Sequence, residues 1–353
     1  MGLVLPYSGF FILFLFAVLF NDSSQSPEFR KPVMEYTTIK SVNVTIDMVY
    51  SNDSVPRYYA TTLESPICMD ELCNPIAIEI EWDLLGNFRN YHELKSSPIT
   101  KFDHEPFEKE DHEKLKKILS NKSSLLQDYR MEDLVDTTRL VYSEEIDGMT
   151  GATSKTFANE VVGGAIYTCY TLWHFVNGQL DEKLLHYTEQ ILDETVLLEM
   201  LQSGKEEYLH YVLDKKRGIF SSKVNEVIGD LIWEGEPVIA VKAVNVVEEN
   251  YWGADSIKRV LEDSFSGLET PVQNAIIQQM TKVSITYKTL EYFVEVLPEL
   301  GDRKRRLVYK IFEAHSDLFD VNLKKELHKI FKGDRFPMGG EEYKLLSGLG
   351  ISY

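Results

Sequence analysis

An α+β domain over residues 27–180, followed by an all-helical domain over residues 181–335, is the fold class this sequence predicts. Before residue 82, blocks of apolar residues alternate with polar ones, the period of a half-buried strand. After about residue 180 the apolar residues fall at helical spacing instead. Helix-start patterns then recur about every 32 to 34 residues, within the range of stacked helical repeats.

The N-terminus comes first. No charged residue occurs from Gly2 to Phe20, and Phe10 to Phe20 is a compact apolar block followed by the polar run Asn21–Pro27. Residues 1–26 therefore read as a signal peptide or an N-terminal anchor. The expected location is extracytoplasmic, periplasmic or secreted, with membrane attachment through the N-terminus if the segment is retained. The n-region lacks Lys and Arg, and no clear A-x-A cleavage site follows.

With a formal net charge of -19, the chain would repel a nucleic-acid backbone, which excludes that class of partner. Hydrophobic residues at 44% and charged residues at 26% are ordinary for a folded protein. In an oxidising compartment, Cys68 and Cys73 are expected to form a short-loop disulfide. They match neither the C-x-x-C redox spacing nor a zinc site with two cysteine pairs. Cys169 is expected to be a buried free thiol on an apolar helix.

Within the first domain, Ser41–Tyr50 and Ile76–Trp82 alternate as strands, and Leu84–Asn87 reads as a turn. A helix is expected over residues 106–119, with Leu115, Ile118 and Leu119 on one face. A strand follows over Thr138–Tyr142, and then a turn-rich motif. An apolar helix is expected from Ser154 to Val176, ended by Asn177-Gly178. In the second domain the recurring starts lie at Ser203, Glu236, Thr270 and Asp302, and Pro237 and Pro271 suit a first helical turn. Such units would stack as HEAT-like repeats or pack as an irregular bundle. Residues 336–353, with Gly339-Gly340 and Gly348-Leu349-Gly350, read as an irregular tail.

Few residues have a pattern suited to chemistry. No G-x-S-x-G elbow, Walker loop or H-E-x-x-H motif occurs, so hydrolase and kinase readings have no footing. The triplets Asp103-His104-Glu105 and Asp111-His112-Glu113 lack the fixed convergence a metal needs and read as a solvated approach to a helix. His104, on an extended stretch, is placed to fold over a neighbouring ligand. Downstream, Gly163 and Gly164 precede Tyr167, Tyr170 and Trp173, which suit either the wall of a flat ring or a buried packing face.

The sharpest signal is Asp147-Gly148-Met149-Thr150-Gly151-Ala152-Thr153. It resembles the D-x-x-[ST]-G-A-T acceptor motif of the covalent FMN-binding domain family. That family includes subunits of the sodium-pumping NADH:quinone reductase and of Rnf-type electron-transfer complexes. The resemblance covers about residues 140 to 178. It implies an FMN-binding-like first domain in which a flavin transferase joins FMN, through its phosphate, to the hydroxyl of Thr153. Asp147, Thr150, Gly151, Ala152 and Ser154 would complete the cofactor-binding set. Gly151 and Ala152 leave room for a bulky donor, and a helix starting near Ser154 would set N–H groups beside the phosphate. Ser154-Lys155-Thr156 departs from the family's apolar residue followed by Thr-Ser. The implied function is extracytoplasmic electron transfer, as an oxidoreductase subunit working with further redox partner proteins. The alternative is a non-catalytic exported scaffold that works through its helical surface.

Overall fold

A computed structural model describes residues 29–67, 75–94, 97–101, 104–131, 134, 160–215, 220–333 and 338–352. The chain divides into two compact units, Met1–Leu185 and His186–Tyr353.

The first unit is built on a five-stranded antiparallel meander in the order β1 (Phe29–Thr37), β2 (Asn43–Tyr50), β3 (Pro56–Ser65), β4 (Ile76–Trp82), β5 (Phe88–Glu93). Register fixes its two faces. Met48 opposes Tyr59, which opposes Trp82, Thr61 opposes Ile80, and Ile46 lies two residues before Met48 on β2. These side chains share one face and are essentially fully buried. Two helices follow the sheet, α1 (Lys109–Ser120) and α2 (Ile166–Asn177). On that face the Trp82 indole N–H donates to the Val176 carbonyl at 3.3 Å, and its ring meets Phe175 edge-on at 5.6 Å. Leu115, Ile118 and Leu119 of α1 are buried, as their shared face predicts.

The strands expected over Ser41–Tyr50 and Ile76–Trp82 coincide with β2 and β4, and the turn after Trp82 is held by Asp83. Its carboxylate accepts the amides of Leu85 and Asn87 at 2.8 and 2.9 Å. Gly86 completes this turn at φ +74°, where a Cβ would lie 2.2 Å from the Asp181 carbonyl oxygen, so only glycine fits. The edge strand β1 carries Pro32 and a register shift between Pro32 and Met34, both of which blunt pairing with a foreign strand.

Two sequence expectations are corrected. The apolar helix does not run from Ser154, because residues 160–165 are non-helical and α2 starts at Ile166. Gly164 lies at φ +73°, a left-handed conformation that a continuous right-handed helix cannot contain. The C-terminal tail is not irregular, since α14 (Gly340–Gly348) packs Leu345 and Leu346 into the core. The glycines read as breakers form its boundaries. The Gly339 amide donates to Glu342 at 3.0 Å, and Gly350 turns at φ +66°.

Helices α3 (Leu180–Gln190), α4 (Glu194–Gln202), α5 (Glu206–Leu213) and α6 (Ser222–Glu234) lead into the second unit. They continue as α7 (Pro237–Val246), α8 (Glu249–Trp252), α9 (Ile257–Ser264) and α10 (Thr270–Met280). The last before α14 are α11 (Tyr287–Val296), α12 (Asp302–Ala314) and α13 (Val321–Lys332). In one row α5 packs on α7, α7 on α10, α10 on α12 and α12 on α14. In a second row α4 packs on α6, and α9 on α11, which packs on α13. Each unit buries an apolar stripe it could not bury alone. Phe265, Tyr292 and Phe293, for example, meet edge-on with centroids 5.3 to 6.2 Å apart. The helix starts at Glu206, Pro237, Thr270 and Asp302 lie close to the four recurring starts in the sequence, and Pro237 and Pro271 sit in first turns.

Candidate functional site

Asp147, Thr150, Gly151, Ala152, Thr153 and Ser154 lie outside the described residues, as do the expected strand Thr138–Tyr142, the pair Cys68 and Cys73, and residues 1–26. The neighbourhood that receives the motif's downstream end is described. There Glu160 accepts a hydrogen bond from the Ser124 hydroxyl at 2.5 Å. Ser124 is buried, and its oxygen also accepts the Leu126 amide at the head of a short 3-10 turn. Two residues on, the Val162 amide donates to the Cys169 sulfur at 3.2 Å, and the Val162 carbonyl accepts the Ala165 amide at 3.0 Å. Cys169 is a fully buried free thiol. Burial pushes it up to about 12, with the Val162 amide opposing, so it stays neutral and unreactive.

Helix α2 is fastened to residues 119–129 by a row of polar side chains. Trp173 donates to the Asn121 carbonyl at 2.8 Å and Asn177 to Leu119 at 2.9 Å. Tyr170 donates to Tyr129 at 3.1 Å, and His174 lies 3.0 Å from the Leu126 carbonyl. These bonds tie α2 to the end of α1 and to the 3-10 turn at Leu125–Asp128. Trp173 and Tyr170 are buried in this contact, which makes them packing residues rather than an open aromatic wall, whereas Tyr167 is half-buried. Burial holds His174 below its ordinary pKa, with the Leu126 carbonyl opposing.

The second triplet separates on folding. Asp111 pairs with Lys101 at 2.8 Å, and Glu113 lies exposed beside Lys109. His112 turns inward, with Nδ1 at 2.6 Å from the Tyr91 hydroxyl and Nε2 at 3.8 Å from Glu93. Burial, with Glu93 adding to it, raises the Tyr91 phenol far above its usual range. The Tyr91 hydroxyl and His112 Nδ1 therefore share one hydrogen bond while the other ring nitrogen faces the Glu93 carboxylate. The trio pins α1 to β5. Its spacing across 21 residues left no local pattern, so sequence reading missed it. His104 occupies a tight exposed turn at φ +61°, with its amide donating to Lys101 at 3.0 Å. Among the described residues no group of three His, Cys, Asp or Glu could hold a metal ion, and no helix is long and apolar enough to cross a membrane.

Comparison with protein families, curated proteins and solved structures finds no match to this chain.

Proposed function

We propose that the chain is an exported flavoprotein that carries FMN as a phosphoester on Thr153 and works in extracytoplasmic electron transfer. The run Asp147–Thr153, with five constrained positions around an acceptor hydroxyl, carries this reading. A sheet-and-helix unit supports it, because functional loops work best when rooted on a rigid scaffold. Glu160, bonded to Ser124, and the Val162 turn over Cys169 lie in the chain from seven residues beyond Thr153.

Loading would join the Thr153 hydroxyl oxygen to the phosphorus of an activated flavin phosphoanhydride. The anhydride bond breaks, its far half leaves, and the hydroxyl proton passes to the flavin transferase. Once bound, FMN would supply the one- and two-electron chemistry, while Asp147, Thr150, Gly151, Ala152 and Ser154 would position the acceptor. The uncharged N-terminal block supports export.

A second reading is favoured by the two rows of stacked helices, the architecture of a binding scaffold. In that case the motif is only a turn and the helical unit docks other chains through HEAT-like stacking. Intact mass after export alongside a flavin transferase separates the two. Addition of one FMN supports the flavoprotein, and an unchanged mass leaves the scaffold.

A further inference from the structure

Charge is distributed unevenly along the first four helices of the row, α5–α7–α10–α12, which α14 follows. At one end, α5 exposes Glu206 and Glu207, with Asp214 directly after it. In the middle, α7 (PVIAVKAVNV) has Lys242 as its single charge and α10 (TPVQNAIIQQM) has none. The fourth helix, α12, carries Arg303, Lys304, Arg305, Arg306 and Lys310 against Asp302 and Glu313, and beyond it α14 begins with Glu341 and Glu342. Helical spacing puts Val238 and Asn245, then Gln278, and then Arg303 and Lys310 on the side opposite each helix's buried stripe. Val238 is 64% exposed there. In a chain of net charge -19, α7 and α10 carry no carboxylate, and the facing row behaves differently. Helix α6 exposes Glu226, Asp230 and Glu234 one turn apart, a stripe that repels any acidic partner.

We infer that the outer face of the α5–α7–α10–α12 row binds a second copy of this chain, in an antiparallel pair about a two-fold axis between α7 and α10. The occupant follows from charge complementarity. An isologous interface must be complementary to itself, so whatever lies at one end meets what lies at the other. Here the two-fold sets basic α12 against acidic α5 of the partner, twice, and sets α7 against α10, neither of which carries a carboxylate. Among the described residues Glu207, Arg303 and Lys310 make no ion pair, so they are available to the partner. Asp214 already pairs with Lys242 at 2.7 Å, and Arg306 with Glu341 at 3.3 Å. Four helices about 9 Å apart and about 15 Å long offer on the order of 500 Å² per copy. That is below the roughly 800 Å² per partner of a standard stable interface. The pair is therefore reversible and salt-sensitive.

Sedimentation velocity of the full chain, over a concentration series up to the sub-millimolar range at low salt, tests this. The wild type should shift from monomer to dimer, and high salt should reverse the shift. Arg303→Glu with Lys310→Glu should weaken association at least about tenfold, as should Glu206→Lys with Glu207→Lys. Combining all four reversals should restore the dimer, a rescue that misfolding or a general change of net charge would not produce. Lys325→Glu with Lys329→Glu on α13, in the other row, should leave association unchanged. A wild type that stays monomeric throughout overturns the inference, as does failure of the fourfold variant to dimerise. None of these outcomes depends on whether Thr153 carries flavin.

Discussion

The Ser124 hydroxyl donates a hydrogen bond to the Glu160 carboxylate at 2.5 Å while its oxygen accepts one from the Leu126 amide at 3.3 Å. One buried side chain therefore caps the 3-10 turn and fixes the residue from which the motif-bearing segment departs. Ser124→Ala removes both bonds and leaves a part-buried carboxylate without its donor. The expected cost is about 1 to 3 kcal/mol, read as a lower urea midpoint for the first unit. Ser124→Thr keeps the hydroxyl and should recover most of it. An unchanged midpoint for the alanine variant would show that the contact contributes nothing.

Gly86→Ala is expected to be worse than a surface change of that size suggests. The new methyl would lie 2.2 Å from the Asp181 carbonyl oxygen, in a backbone conformation at φ +74°. Neither the backbone of α3 nor the Asp83 turn can yield cheaply, so a loss above about 2 kcal/mol is expected. Thermal unfolding of the variant beside wild type measures it, and a shift of less than a degree or two would refute the close approach.

His174 should make stability pH-dependent in one direction. Burial lowers its pKa in the folded state, so as the pH falls the unfolded chain takes up the proton first. Its contribution is present above the unfolded value, about 6.5, and is lost as the pH falls through the lower folded value. His174→Gln keeps a donor for the Leu126 carbonyl and removes the titration. The stability difference between wild type and this variant should therefore narrow from pH 7 to pH 5, as denaturant titrations at each pH would reveal. A constant difference would mean that His174 does not titrate differently in the two states.

Cys169 offers a chemical check on the same support. Its thiol is buried and pushed up to about 12, with the Val162 amide aimed at the sulfur. The native protein, without reductant, should resist alkylation at this residue at neutral pH, and urea should expose it. Rapid native labelling would place the 160–165 turn elsewhere.

What the sequence made legible follows from the period of each element. Strands β2 and β4 are read because one side of each is buried and alternation survives. Strand β1 is missed because it is an edge strand, with residues from Phe29 to Pro32 exposed and a proline inside it. Strand β3 is missed because Tyr58, Tyr59, Ala60 and Thr61 are buried in succession, which erases the period of two. The repeat starts were visible because proline and acidic first turns mark them. The end of α14 was hidden because its glycines serve as boundaries, and boundary glycines look the same as loop glycines in sequence. For the candidate site, the acceptor run is a local signal and can be read directly. The Ser124–Glu160 and Tyr91–His112 contacts join residues 36 and 21 positions apart, and only the folded chain brings them together.

The acceptor itself gives the decisive test of the proposed function. Thr153→Ala should abolish covalent flavin, because the methyl leaves no oxygen to carry the phosphoester. Thr153→Ser should retain part of the loading, since the nucleophilic oxygen survives. Asp147→Ala should lower loading if the transferase reads this carboxylate, as the motif resemblance implies, and Thr156→Ala should matter much less because it lies beyond the acceptor. None of these positions falls within β1–β5, α1 or α2, and circular dichroism should stay at the wild-type level. A lost local hydrogen bond costs only about 1 kcal/mol, a small part of a domain's stability. The measurement is intact mass and visible absorbance of each purified variant made with a competent transferase. Covalent FMN on Thr153→Ala would move the attachment to another hydroxyl. A wild type that never gains the mass under the same conditions would end the flavoprotein reading, and the stacked helices would then carry the function.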